Sequence, residues 1–87
     1  MNTSHLKITS PDGVLFADDI TAFFVRSSDG DMAVLAGHAP FVGTVQPCAC
    51  RVAYEDAPDK SGRTSGGLLK VDQNGTVLFT ASVEWDD

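Results

Sequence analysis

Val77-Leu78-Phe79-Thr80-Ala81-Ser82-Val83-Glu84-Trp85 places Val, Phe, Ala, Val and Trp at every second position, with Leu78, Thr80, Ser82 and Glu84 between them. Side chains along a strand point alternately to its two faces, so this rhythm predicts a β-strand that buries Val77, Phe79, Ala81, Val83 and Trp85. The rhythm recurs upstream. Cys48, Cys50, Val52 and Tyr54 alternate with Ala49, Arg51, Ala53 and Glu55, and Leu6 and Ile8 alternate with His5, Lys7 and Thr9. Ile20-Thr21-Ala22-Phe23-Phe24-Val25-Arg26 is apolar on both faces and predicts a strand covered on both sides, with Phe24 in the core. A helix over residues 14–27 is the competing reading, but the aromatic and β-branched content favours a strand.

Turn signals separate these runs about every ten residues. Pro11-Asp12-Gly13 combines a fixed φ with a residue free to turn left-handed, and Asp29-Gly30 and Asn74-Gly75 suit the two-residue loops of type I′ hairpins. Gly37-His38-Ala39-Pro40 divides Met32-Ala33-Val34-Leu35 from Phe41-Val42, and the polar stretch 55–67 reads as one long loop. Short strands at this spacing predict an all-β fold, an antiparallel sandwich or barrel. Eighty-seven residues hold one core, so a single domain over residues 1–87 is expected.

Composition narrows the function. Hydrophobic residues at 43% and charged residues at 21% suit a folded domain rather than a disordered one. Six basic against twelve acidic residues give a net charge of −6, which opposes nucleic acid and anionic membrane surfaces as partners. No apolar run is long enough to insert in a bilayer as a helix, and Met1-Asn2-Thr3-Ser4-His5 has neither the basic start nor the apolar block of a secretory signal. Cys48 and Cys50 lie on one face of a strand, where a bridge would be badly strained, so two buried thiols are expected.

The candidate chemistry is sparse. His38 could serve as a general base, yet no nucleophile elbow accompanies it. Asp29 and Asp31 bracket a glycine, but residues 32–40 lack the further oxygen ligands and the glutamate of a calcium loop. Gly66-Gly67 precedes no helix or Walker lysine that would make a phosphate cradle. The expectation is a chain without catalytic residues, metal or cofactor.

One constellation remains. Ser28-Asp29-Gly30-Asp31-Met32-Ala33-Val34-Leu35-Ala36-Gly37-His38-Ala39-Pro40-Phe41-Val42 resembles the hallmark stretch of the ATP synthase epsilon subunit, an acidic hairpin followed by a strand and a Pro-Gly-His-Ala-Pro turn. Ser10-Pro11-Asp12-Gly13-Val14-Leu15-Phe16 is similar to that family's early turn, and Gly66-Gly67-Leu68-Leu69-Lys70-Val71 with Thr76-Val77-Leu78 to its late strands. The resemblance implies an N-terminal β-sandwich of about ten short strands, part of the central stalk. Such a subunit couples the gamma subunit to the c-ring during proton-driven ATP synthesis and catalyses nothing itself. By the same resemblance Asp29, Gly30 and Asp31 at the hairpin tip and Gly37, His38, Ala39 and Pro40 at the turn face those partners. The implied location is peripheral, at the cytoplasmic face of the bacterial plasma membrane.

The chain departs from the family pattern at Ala36, Cys48 and Phe79-Thr80, where a proline, a glycine and a pair of small or acidic residues are usual. The family's two-helix C-terminal hairpin has no counterpart before Asp87, so the resemblance implies neither nucleotide sensing nor autoinhibition for this chain. Two other classes make contrary forecasts. A free-standing ligand- or peptide-binding module would group Tyr54 and Trp85 in one cleft. A small enzyme would bring His38 within reach of Asp29 or Asp31.

Overall fold

In the computed structural model, which describes residues 3–86, every regular element is a strand. In chain order these are β1 (Ser4–Ser10), β2 (Gly13–Ile20), β3 (Ala22–Ser27), β4 (Gly30–Leu35), β5 (Phe41–Val45), β6 (Cys48–Ala53), β7 (Lys60–Thr64), β8 (Gly67–Asp72), β9 (Gly75–Thr80) and β10 (Val83–Trp85). Met1 and Asn2, from the stretch read for a signal, and Asp87 lie outside the described residues. The strands follow the order β10-β7-β6-β3-β5-β8-β9-β1-β2, and β4 pairs with β3 off that path. The β3–β5 join is a single residue pair, Ser27 opposite Val45, so the sheet folds over there into two leaves. Phe23, Val25, Val34, Cys48, Cys50 and Val52 come from the leaf β4-β3-β6-β7-β10. Leu6, Ile8, Ile20, Val45, Leu69, Val71 and Leu78 come from the leaf β5-β8-β9-β1-β2, and all pack as one buried cluster. The ten-stranded sandwich expected from the sequence is present, with one departure: β1 and β9 run parallel.

The C-terminal stretch differs from its expectation in two respects. It forms two strands, because residues 81–82 carry the chain from one leaf to the other. In β9, moreover, Thr76, Leu78 and Thr80 are buried while Phe79 is 46% exposed. Val77-Leu78-Phe79 offers an apolar side chain to either face, so alternation there identifies a strand without fixing its phase. The partners fix it. Leu78 lies opposite Ile8 and Leu69, which are fully buried, and Phe79 lies opposite Thr9 and Leu68 on the outside.

The double-faced segment also divides. Ile20 closes β2, and Thr21 turns the corner between leaves with its N–H and its hydroxyl both donating to the Ala53 carbonyl, at 2.9 and 3.0 Å. Within β3 the core residue is Phe23, fully buried, and not Phe24. Phe24 sits half-buried on the outer face under the Arg51 guanidinium, 4.2 Å from its ring centroid. No helix forms over residues 14–27. The stretch 55–67 is not one loop, since β7 lies within it and pairs with β6 and β10. Its polar character hid it: Arg63 faces outward, and Gly62 faces inward opposite Trp85, where a Cβ would run into the Glu84 carbonyl.

The hairpins share one grammar, which is not type I′. Their loops are Pro11-Asp12, where the sequence placed a turn, and Ser28-Asp29 and Gln73-Asn74, each one residue earlier than expected, and each loop is followed by a glycine pairing across the strand start. Type I′ needs positive φ at both central residues, and among the described residues only glycines have positive φ. The pattern instead matches type I turns, which favour Ser or Asp at the first position and Gly at the fourth. Ser10, Ser27 and Asp72 each accept the N–H two residues on, at 3.2, 3.2 and 2.8 Å. Gly13, Gly30 and Gly75 then supply φ of 134, 124 and 131°.

Two devices hold the leaves together at their rims. The crossings at Ser65-Gly66 and Ala81-Ser82 are clasped by hydroxyls: Thr80 Oγ1 lies 2.9 Å from Thr64 Oγ1 and donates to the Gly66 carbonyl at 2.7 Å, while Ser65 Oγ accepts the Ser82 N–H at 3.2 Å. These bonds satisfy the two buried threonines, whose hydroxyls would otherwise be costly to desolvate. At the rim between β2 and β10, Phe16 and Trp85 meet edge to face with centroids 5.4 Å apart.

Candidate partner-binding surfaces

Asp29, Gly30 and Asp31 occupy the tip of the β3–β4 hairpin, and all three are exposed. The turn is built from its own residues, Ser27 Oγ accepting the Asp29 N–H and donating to the Gly30 carbonyl at 3.1 Å. The Asp29 carboxylate is exposed and, among the described residues, takes part in no ion pair. Asp31, the second residue of β4, lies opposite Arg26 and accepts a 2.9 Å bond from its Nε. The bond and the charge of Asp31 push the Arg26 pKa up, so the pair stays ionised over the usual range. The Ser28 N–H donates to the Thr44 carbonyl at 3.2 Å, which ties the tip to the neighbouring leaf.

The second predicted group lies at the other end of β4. The His38 N–H donates to the Leu35 carbonyl at 3.1 Å, closing a turn whose third residue, Gly37, has φ 80°. This is a type II turn, which demands positive φ at that position and favours proline at the one before, here Ala36. His38 Nδ1 lies 2.7 Å from the Ala39 carbonyl, and its ring stands edge-on to Phe41 at 6.5 Å. Five residue steps along β4 separate the turn from the hairpin tip, about 17 Å at ~3.4 Å per residue. The seven predicted residues therefore form two patches and not one.

This geometry bears on the alternatives. Asp31 is engaged by Arg26 and His38 by a carbonyl of its own turn, and the two line different concavities. Among the described residues His38 is not brought to Asp29 or Asp31. Tyr54 and Trp85 likewise line separate hollows. Among the described residues no cluster of three His, Cys, Asp or Glu side chains could hold a metal, and no helix is long and apolar enough to cross a membrane. Cys48 and Cys50 are free and buried, and burial pushes the Cys50 thiol up to about 11. At neutral pH it is an unreactive thiol.

A surface that the sequence reading missed lies on the outer face of the β5-β8-β9-β1-β2 leaf. Cross-strand pairing lines up Thr44, Leu68, Phe79, Thr9 and Val14 in one row, with Val42, Lys70, Val77, Lys7 and Ala17 in the next. Val14, Val42, Leu68 and Phe79 are 56, 65, 45 and 46% exposed. Adjoining apolar side chains across neighbouring strands are the usual mark of a docking face. A bulge adds to it: Ile8 pairs with Phe16 and Thr9 with Val14, so Leu15 is skipped and stays outside. The signal was present as apolar doublets, Val14-Leu15, Leu68-Leu69 and Leu78-Phe79, which a strand wet on one face does not need.

Comparison with known proteins agrees with this architecture. A family model described as the beta-sandwich domain of the ATP synthase Delta/Epsilon chain matches residues 3–86. The chain is similar to the epsilon chain of the sodium-ion-specific ATP synthase of Acetobacterium woodii, with 33% identity over 98% of this chain and 64% of that relative. It is similar also to the epsilon chain of Clostridium perfringens, with 31% identity over 100% of this chain and 65% of the relative. The chain thus spans just under two thirds of these relatives' length. Among solved structures it superposes on a chain of the Euglena gracilis mitochondrial ATP synthase OSCP/F1/c-ring assembly with a TM-score of 0.87 at 27% identity, covering 95% of this chain and 53% of that one. A chain of the Tetrahymena thermophila mitochondrial enzyme shares the fold, with a TM-score of 0.77 at 9% identity.

Proposed function

Because this chain belongs to the ATP synthase Delta/Epsilon chain β-sandwich family, we propose that it is a non-catalytic subunit of the central stalk of an F-type ATP synthase. In this reading it docks on the gamma subunit and meets the loops of the c-ring, turning with them and so coupling ion flow to ATP synthesis in the head. It lies peripherally on the membrane-bound complex, at the cytoplasmic face. The observation that carries the reading is the outer apolar face centred on Leu68 and Phe79.

The physics of the proposal is mechanical. Two leaves locked by an interdigitated core resist shear, so a load applied at one end reaches the other without loss into internal motion. The hairpin tip sits beside Thr44, at the head of the Thr44–Leu68–Phe79 row, so the tip and the apolar face form one continuous contact. The turn around His38, at the far end of β4, is a second and separate contact. Two patches suit a spacer held between two partners. Asp29 and Asp31 offer carboxylates to basic side chains, and the apolar row supplies the buried area that a lasting interface needs.

Hydrogen–deuterium exchange on the chain alone and bound to its cognate gamma subunit and c-ring tests the proposal. New protection is expected at residues 28–31, 37–40 and 67–69. Protection confined to other segments would overturn this assignment of the contacts.

A further inference from the structure

Each leaf ends in two edge strands, β4 and β10 in one, β5 and β2 in the other. An edge presents unpaired N–H and C=O groups that can template a further strand, and folded proteins guard it with bulges, charges, proline or brevity. Three of the four edges are guarded. β2 carries a bulge in its ladder and the exposed Asp18 and Asp19, and β10 has three residues. β5 follows Pro40 and is tied at its far end to Ser27 and Ser28. β4 has none of these devices: among the described residues it pairs with β3 alone, and Gly30–Leu35 contains neither proline nor lysine. Its one acid, Asp31, is held by Arg26.

The phase of the β3–β4 ladder fixes which groups the edge offers, because successive antiparallel pairs alternate between bonded and non-bonded. The Arg26 carbonyl accepts the Gln46 N–H, and the Arg26 N–H donates to Cys48 Sγ, so Arg26 turns its backbone away from β4. Asp31, opposite Arg26, therefore turns its own backbone away from β3, and Ala33 and Leu35 follow in the same phase. The Leu35 carbonyl accepts the His38 N–H, as that phase requires. Ala33 sits at the middle of the open edge, exposed and small.

We propose that β4 pairs antiparallel with β4 of a second copy of this chain, about a two-fold axis at Ala33. Ala33 then exchanges both of its backbone bonds with the partner's Ala33, and Asp31 lies opposite the partner's Leu35. The register is self-complementary: methyl groups meet at the axis, and no carboxylate faces a carboxylate. On the inner face Met32, half-buried at the margin of the core, meets the partner's Val34. Such pairing is isologous, so it consumes the open edge of both copies and stops at two. Each copy carries a net charge of −6, so salt strengthens the association by screening. The inference uses the sheet edge and neither outer face, and does not rest on the rotor reading.

The test is sedimentation velocity of the whole chain over a concentration series. A monomer–dimer equilibrium is expected, moving toward dimer as salt rises. Ala33→Pro removes the central donor from the free side of an edge strand, where proline is tolerated, and Ala33→Lys sets two ammonium groups against each other. Each should weaken dimerisation about tenfold or more while the circular dichroism spectrum stays unchanged. Cross-linking tests the register. A bonded antiparallel pair holds its Cα atoms about 5.5 Å apart, within disulfide reach, so Ala33→Cys should oxidise to a covalent dimer. Asp31→Cys should not, since four residue steps, about 14 Å at ~3.4 Å per residue, part it from its counterpart. Cys48 and Cys50 are buried and stay out of the reaction. A monomer at every concentration, growth beyond two copies, a dimer untouched by both Ala33 variants, or equal cross-linking at 31 and 33 would overturn the proposal. So would a dimer lost with Phe79→Asp, which would move the contact to the apolar leaf.

Discussion

Phe23 and Phe24 adjoin in sequence and differ entirely in role. Phe23 is fully buried between the leaves, so Phe23→Ala should cost about 3–5 kcal/mol, enough to unfold much of a domain this small. Phe24→Ala removes an outer, half-buried ring, and urea unfolding should show a far smaller loss. A larger loss at Phe24 would contradict the inward phase assigned to β3. Sequence alone could not separate the two, because an apolar pair on one strand leaves both phases open until partners are known. Cys50 supports a prediction about pH. Burial keeps its thiol protonated in the folded chain up to about 11, whereas the unfolded thiol ionises from an ordinary 9.0. The unfolded state therefore loses its proton first, and stability should fall as pH rises through that window. Cys50→Ala should reduce the slope of the urea midpoint against pH. Tyr54, whose pKa is also pushed up by burial, leaves part of the slope in place.

At the scale of the element, the turns were legible as places and misread as types. Gly13, Gly30 and Gly75 were visible, but Asp-Gly and Asn-Gly pairs serve type I′ loops and also close type I turns one residue earlier. The serine or aspartate three residues before each glycine was the deciding signal. Strand β7 was hidden for a different reason: its inward positions are Gly62 and Thr64, tolerated because Trp85 fills the space and the hydroxyl clasp satisfies the threonine. Thr80→Val removes the centre of that clasp and leaves Thr64 short of a partner. It should cost about 1–3 kcal/mol despite its matched shape, while the resistant Thr76→Val, outside the clasp, serves as the comparison. The type II turn allows the opposite experiment. Ala36→Pro at its second position should raise stability by about 0.4–1 kcal/mol, through a less disordered unfolded chain, and a loss on thermal unfolding would show that the turn is misassigned.

Over the whole molecule, the sequence announced a sandwich through the alternation in β1 and β6, and its family through the run from Ser28 to Val42. The separation of the hairpin tip from the His38 turn depends on β4 lying straight between them, and linear spacing does not show that. The apolar row was equally obscure, because Leu68 and Phe79 become outward residues only once β8 and β9 pair on β5 and β1. Asp31→Ala should leave the thermal midpoint unchanged, since the side chain is 83% exposed, yet weaken association with the stalk. The chain's central role is tested most directly by affinity purification of the tagged protein from its own membranes under mild detergent. The account predicts recovery with the gamma subunit in equal amount, together with the c-ring, and loss of both with a Leu68→Asp, Phe79→Asp variant that stays folded. Recovery of the folded chain without either subunit would contradict it.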